Sequence, residues 1–245
     1  MGLTGKTRWL IWGLWFHGCL VILTVLLGVV AIIGTFIDKS GRFPQSVARL
    51  WSRLLLRLSR VSVQVEGLEH VEPGKNYVFA ANHRSQFDIF VLLATLPGQL
   101  SWVAKKSLFQ IPIFGQAMAR MGSVPIDRSN RSQAIRSLNE AAHKVQQGFS
   151  MIIFPEGTRG TGGELLPFKK GVFIMALKAG QPIIPVSISG TLAIQPRRSL
   201  MIRPGPVKVV LSPPIDPLAF RHKEQLMEAV REAIAANFDP NFPYG

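Results

Sequence analysis

The chain has 245 residues, a formal net charge of +14 and a hydrophobic fraction of 47%. That length suits one large domain, or one domain with an appendage, and the excess of base implies a polyanionic neighbour: nucleic acid, an anionic membrane surface or a phosphorylated substrate. Cys19 is the only cysteine, which excludes an intramolecular disulfide and a multi-cysteine zinc site; inside an apolar run it reads as an inert thiol.

Residues 9–37 form a run of 29 positions without a formal charge, longer than the ~20 helical residues that cross a hydrocarbon core. A cleavable signal peptide has an apolar part of only ~7–15 residues and a small-x-small site after it, and this run has neither. Trp9, Trp12, Trp15 and Phe16 crowd its start, as aromatic side chains do at a membrane interface. In residues 46–60, Arg49, Arg53, Arg57 and Arg60 recur at steps of three and four, with Leu50, Trp51, Leu54, Leu55 and Leu58 among them. The pattern predicts a helix lying on an anionic bilayer, each basic residue contributing roughly 1 kcal/mol. A basic helix packed on a globular domain, with its arginines solvated, is the alternative. Lys6 and Arg8 are outnumbered by the bases that follow the first helix, which favours a cytoplasmic location for the rest of the chain. The expectation is therefore membrane-associated helices in residues 1–60 and an α/β domain in residues 61–245.

From about Val61 short apolar runs alternate with helical patterns. Strands are predicted at residues 61–65, 77–81, 100–104, 123–126, 151–154, 183–188 and 207–211. A helix is predicted over 132–147, where Ile135, Leu138, Ala142 and Val145 share one face and Gly148 supplies the stop. Two more are predicted over 168–179 and over 223–238, the latter with Leu226, Val230 and Ile234 stacked four apart. Strand–helix alternation argues for an α/β fold: a mostly parallel central sheet flanked by helices, preceded by the two-helix N-terminal segment.

Within this frame residues 77–88 stand out. The apolar strand turns polar at Asn82 and His83, and Asp88 follows five positions after the histidine. On one continuous helix those side chains would point about 140° apart, so they meet only if His83 lies in the turn and Asp88 in the first turn of the next helix. Ser85 is then expected at the N-cap. A histidine and an aspartate held at such a corner suit a general base and its orienter. The same Ser85-x-x-Asp88 spacing also fits a capping box, in which Asp88 does no more than close a helix start.

Other strand ends carry cations. Lys105 and Lys106 follow the third strand, Asp127 and Arg128 the fourth, and Pro155-Glu156-Gly157-Thr158-Arg159 the fifth. In an open α/β sheet ligands gather at the carboxyl ends of strands, and Arg and Lys there suit a phosphate-bearing substrate. Taken singly, Asp127-Arg128 also reads as a local ion pair, Pro155-Glu156-Gly157 as a type I turn, and the two lysines as solvated. No Gly-x-Ser-x-Gly elbow, phosphate-binding loop or dinucleotide fingerprint occurs. The bases form no helix-turn-helix, finger or aromatic platform, so nucleic acid is not expected as a partner.

The joint order of these blocks is more specific than any one of them. Asn82-His83-x-x-x-x-Asp88, Gly122 to Arg128, Phe154 to Arg159 and Ile184-Pro185-Val186 resemble the four blocks of the glycerolipid acyltransferases, and most of all the bacterial 1-acyl-glycerol-3-phosphate acyltransferases. The resemblance covers roughly residues 68–192; Pro125 stands where the family pattern more often has a bulky apolar residue. It implies acyl transfer from a thioester to lysophosphatidic acid, with His83 as general base and Asp88 orienting it; the alternatives are transfer to another lysophospholipid and a non-catalytic anionic-lipid-binding membrane protein. It implies that Lys105, Arg128, Glu156, Gly157, Thr158 and Arg159 bind the phosphorylated acceptor and that Pro185 shapes the acyl-side wall. A thioester is already activated, so no cofactor and no metal is expected, and the donor is acyl-coenzyme A or acyl carrier protein. The implied setting is the inner, cytoplasmic membrane, with anionic lipids as neighbours.

Overall fold

The computed structural model describes residues 5–243. The chain opens with two helices, α1 (Gly5–Ile37) and α2 (Arg42–Leu58). There follow β1 (Val61–Glu66), β2 (Val78–Ala81), α3 (Phe87–Thr95), β3 (Leu100–Lys105), α4 (Phe114–Arg120), β4 (Val124–Ile126) and α5 (Arg131–Gln146). The remainder is β5 (Ser150–Ile153), α6 (Lys170–Ala179), β6 (Ile183–Ser189), α7 (Thr191–Ile194), β7 (Gly205–Leu211) and α8 (Lys223–Asn237). The seven strands form one sheet in the order β1-β7-β6-β2-β5-β3-β4. Every neighbouring pair is parallel except β6 with β7, so the mostly parallel sheet is borne out.

The central strands are buried on both faces, as continuous apolar runs in a parallel sheet require. Along β2 the two-residue period sends Tyr77, Phe79 and Ala81 into one core and Val78 and Ala80 into the other. The first core lies under α1, α2 and α3, and the second under α5, α6 and α8. Ala80 of β2 pairs with Ile153 of β5 and Pro185 of β6, which brings the carboxyl ends of β2 and β5 level at the middle of the sheet while β6 runs on to Ser189.

α1 is 33 residues long, roughly 50 Å at 1.5 Å per residue, and by length and composition is apolar enough to cross a membrane. Part of its surface is packed on protein nonetheless. Phe16 is buried and its ring stacks on Phe87 at 5.5 Å between centroids; burying such a side chain contributes about 1.5–3 kcal/mol. Gly13 lets the helix touch the loop before β7: a Cβ there would lie 1.8 Å from the carbonyl oxygen of Leu200. The other side of α1 leaves Ile11, Leu14, Val21, Ile22, Leu26 and Ile33 exposed.

α2 packs one face on protein. Trp51, Leu55 and Leu56 are buried against protein, with Trp51 edge-on to Phe90 at 5.2 Å and its indole N–H donating to Thr24 of α1. Arg49 leaves the predicted stripe and donates to the Leu96 carbonyl at 3.0 Å, just past the end of α3, where carbonyls lack helical partners. Desolvation there draws its guanidinium below the ordinary arginine value. Arg53, Arg57 and Arg60 do stay exposed, as do Phe43 and Leu50.

Candidate active site

The chain leaves β2 through Asn82, whose side chain takes over where the ladder stops. Its amide donates to the Ile188 carbonyl at 2.9 Å and its Oδ1 accepts from the Ile188 N–H at 2.7 Å. That exchange imitates a strand pair, so the main chain can turn at His83 without leaving β6 unpaired. Asp88 then falls in the first turn of α3, as expected. His83 Nδ1 and Asp88 Oδ2 are 2.7 Å apart.

Asp88 is fully buried and its carboxylate is saturated. Oδ2 accepts the His83 ring N–H and the main-chain N–H groups of Arg84 (2.7 Å) and Ser85 (2.8 Å); Oδ1 accepts the Thr191 hydroxyl. The bond to the Ser85 N–H is half of a capping box, so capping and orientation reside in one side chain. The other half departs from expectation. α3 begins one residue later than a Ser85 N-cap requires, and the Ser85 hydroxyl accepts only a long bond from the Phe87 N–H at 3.4 Å while donating to the Gln195 carbonyl at 2.9 Å. With Nδ1–H aimed at the carboxylate, the network assigns the free lone pair to Nε2.

The ring plane is set by a second strand end. Phe154, directly after β5, stacks on the imidazole at 3.9 Å with planes 12° apart, and Trp102 of β3 stacks behind it at 5.9 Å. His83 keeps a small exposed edge, its side chain being 14% accessible. The site is therefore an imidazole pinned by one carboxylate and one ring, open on one side.

The loop after β5 carries most of the remaining expected residues. Gly157 adopts φ +72°, a conformation that favours glycine, and its N–H closes the turn onto the Phe154 carbonyl. Its own carbonyl accepts from Arg128, which follows β4; partial desolvation draws that guanidinium below the ordinary arginine value. Thr158 is exposed, and Arg159 is half-buried with its carbonyl accepting from Arg197. Lys105 ends β3 exposed, whereas Lys106 lies 3.9 Å from Asp127. The Ser129 hydroxyl and N–H, more than Lys106, hold Asp127 below the usual carboxylate range.

Glu156 is turned inward. It is 1% exposed, and its two oxygens accept the main-chain N–H groups of His83 (2.9 Å) and Leu166 (2.8 Å). Burial places it behind the histidine, with both oxygens turned to main chain. Three residues outside the sequence reading shape the site: Arg84, Phe154 in its stacking role, and Thr191. Arg84 occupies an unspecified position between His83 and Asp88, and nothing local marks it as buried.

Residues 62–189 match the acyltransferase family. A 1-acyl-sn-glycerol-3-phosphate acyltransferase of Cocos nucifera is 39% identical over 164 residues, covering 66% of this chain and 53% of that protein. The one of Saccharomyces cerevisiae is 33% identical over 219 residues, covering 84% and 72%. The crystal structure of the 1-acyl-sn-glycerophosphate acyltransferase PlsC from Thermotoga maritima superimposes with a TM-score of 0.85 at 29% identity, covering 94% of this chain and 95% of that one. The chain thus has the fold of a glycerophosphate acyltransferase and belongs to the acyltransferase family. It spans just over half the length of the plant relatives it matches, 51% to 58%.

Proposed function

We propose that this chain transfers a fatty acyl group from a thioester to the free sn-2 hydroxyl of 1-acyl-glycerol-3-phosphate, giving phosphatidic acid. The observation that carries the reading is the 2.7 Å pair of His83 and Asp88 at the end of β2, which leaves Nε2 as the proton-accepting nitrogen. The relatives' printed activities point the same way.

The acceptor oxygen attacks the thioester carbonyl while its proton passes to His83 Nε2. The tetrahedral intermediate collapses with cleavage of the carbon–sulfur bond, and the imidazolium returns the proton to the departing thiolate. A positioned base contributes ~10²–10⁴-fold. Holding the acceptor by its phosphate converts the attack into an effectively unimolecular step and supplies more. Arg159, Thr158, Arg128 and Lys105 are the groups assigned to that phosphate, being at the open ends of β5, β4 and β3. The exposed apolar side of α1 and the arginines of α2 seat the chain on the bilayer that holds both lipid substrate and product.

The test compares lysophosphatidic acid with the corresponding monoacylglycerol, which has the hydroxyl but no phosphate, each with acyl-coenzyme A and acyl carrier protein as donors. The phosphorylated acceptor is expected to be used about 100-fold better or more, and Arg159→Ala to raise its apparent KM about tenfold, near 1.4 kcal/mol. Equal use of the two acceptors would remove the phosphate from the mechanism.

A further inference from the structure

Among the described residues three charged side chains are buried, and two of them, Arg84 (2% exposed) and Glu156 (1%), face each other across the gap between the β2 turn and the loop after β5. Arg84 Nη1 is 3.6 Å from Glu156 Oε2, and Arg84 Nε and Nη1 make no hydrogen bond. A pair held this loosely is a poor stabiliser, because desolvating two ions offsets most of their attraction and apolar side chains of equal volume serve stability as well or better. The pair does what apolar groups cannot: it grips main chain.

The grip is specific. Glu156 takes the N–H of His83 and the N–H of Leu166, while Arg84 Nη2 donates to the Glu164 carbonyl at 2.6 Å. The Gly160 N–H donates to the His83 carbonyl at 2.9 Å, so residue 83 is held on both its peptide groups by the same loop. Space is kept for this arrangement, since a Cβ on Gly160 would lie 1.6 Å from Arg84 Nη1.

We propose that Arg84 and Glu156 act as one positioning pair. They fix the main chain of His83 relative to the loop that carries Thr158 and Arg159, and Glu156 makes no contact with the acceptor. The inference rests on the reading of His83 as the base. A displaced base loses rate while the phosphate loop still binds, so the pair belongs to kcat more than to KM.

The experiment uses Glu156→Gln, Arg84→Met and the double variant in the full chain. It reads kcat and acceptor KM, and the amide exchange of residues 154–166 in the unliganded protein. The expected result is a kcat loss of about 30-fold or more in each single variant, with acceptor KM within about fivefold of wild type. The double variant is expected to be no worse than the worse single one, because the two residues act as a unit. Exchange of residues 157–166 should accelerate in all three. Should Arg84→Met fail to fold, Gly160→Ala displaces the guanidinium while keeping both charges and is expected to show the same kcat loss and faster exchange. Multiplying losses in the double variant would overturn the proposal. So would a Glu156→Gln variant with raised acceptor KM and normal kcat, or unchanged exchange throughout. The exchange measurement decides the pair even if the wild type acylates no lysophosphatidic acid.

Discussion

Asp88 accepts four hydrogen bonds and only one of them comes from His83; the others come from the Arg84 and Ser85 N–H groups and the Thr191 hydroxyl. Removing the negative charge should therefore separate its two tasks. An amide can still present one oxygen to the two main-chain donors, and its NH2 can meet the Thr191 oxygen, so Asp88→Asn is expected to lose no more than about 1 kcal/mol of stability. The imidazolium formed during the reaction loses its counter-charge, and kcat is expected to fall about 100-fold or more at unchanged acceptor KM. Thermal unfolding and steady-state kinetics on the same preparation check both halves; near-wild-type kcat would reduce Asp88 to a helix cap. The pair itself was legible in the sequence, because a five-residue spacing excludes a single helix and demands a corner. Its surroundings were not. Thr191 is 103 positions from Asp88, and Glu156 reads locally as a turn residue; only the tertiary placement of Arg84 and the His83 N–H turns it inward.

At the scale of elements, the strands were the most legible part. All seven predicted runs are strands, displaced by one or two residues at their ends, because β-branched apolar runs between turn residues have few other uses. The helices of the second layer were legible from their periodicity for the same reason. α4 and α7 were not, being seven and four residues long, too short to show a period. The antiparallel entry of β7 beside β6 depends on where its connection crosses and leaves no local trace. α2 shows the sharper lesson. Its apolar side suits a bilayer or a protein core equally well, and what decides is the presence of Phe90 and Thr24 to receive Trp51. The docking of α1 yields a test at this scale. Gly13→Ala places a methyl group against the main chain of Leu200, which cannot yield as a side chain would. The substitution is expected to destabilise the fold by about 1–3 kcal/mol. It should also lower activity, because Phe16 on the next turn stacks on Phe87 at the start of α3. A thermal melt alongside the transfer assay checks it, and an unchanged midpoint would mean that α1 does not depend on this contact.

For the whole molecule, the formal charge of +14 and the exposed apolar residues of α1 belong to one arrangement. On the function proposed above, a membrane-facing helix pair and a phosphate-binding sheet edge would both be cationic for the same physical reason, that their ligands would be anionic lipids. The sheet brings the ends of β2, β5, β3 and β4 into one row, and on the same proposal a base on the first would serve an acceptor held by the others. The most direct test is phosphatidic acid formation from lysophosphatidic acid and an acyl thioester in detergent micelles, comparing wild type with His83→Ala while recording unfolding and vesicle binding for both. The account predicts product from the wild type and a loss of at least ~100-fold in the variant, with unfolding and vesicle binding unchanged. Turnover by His83→Ala at the wild-type rate would contradict it.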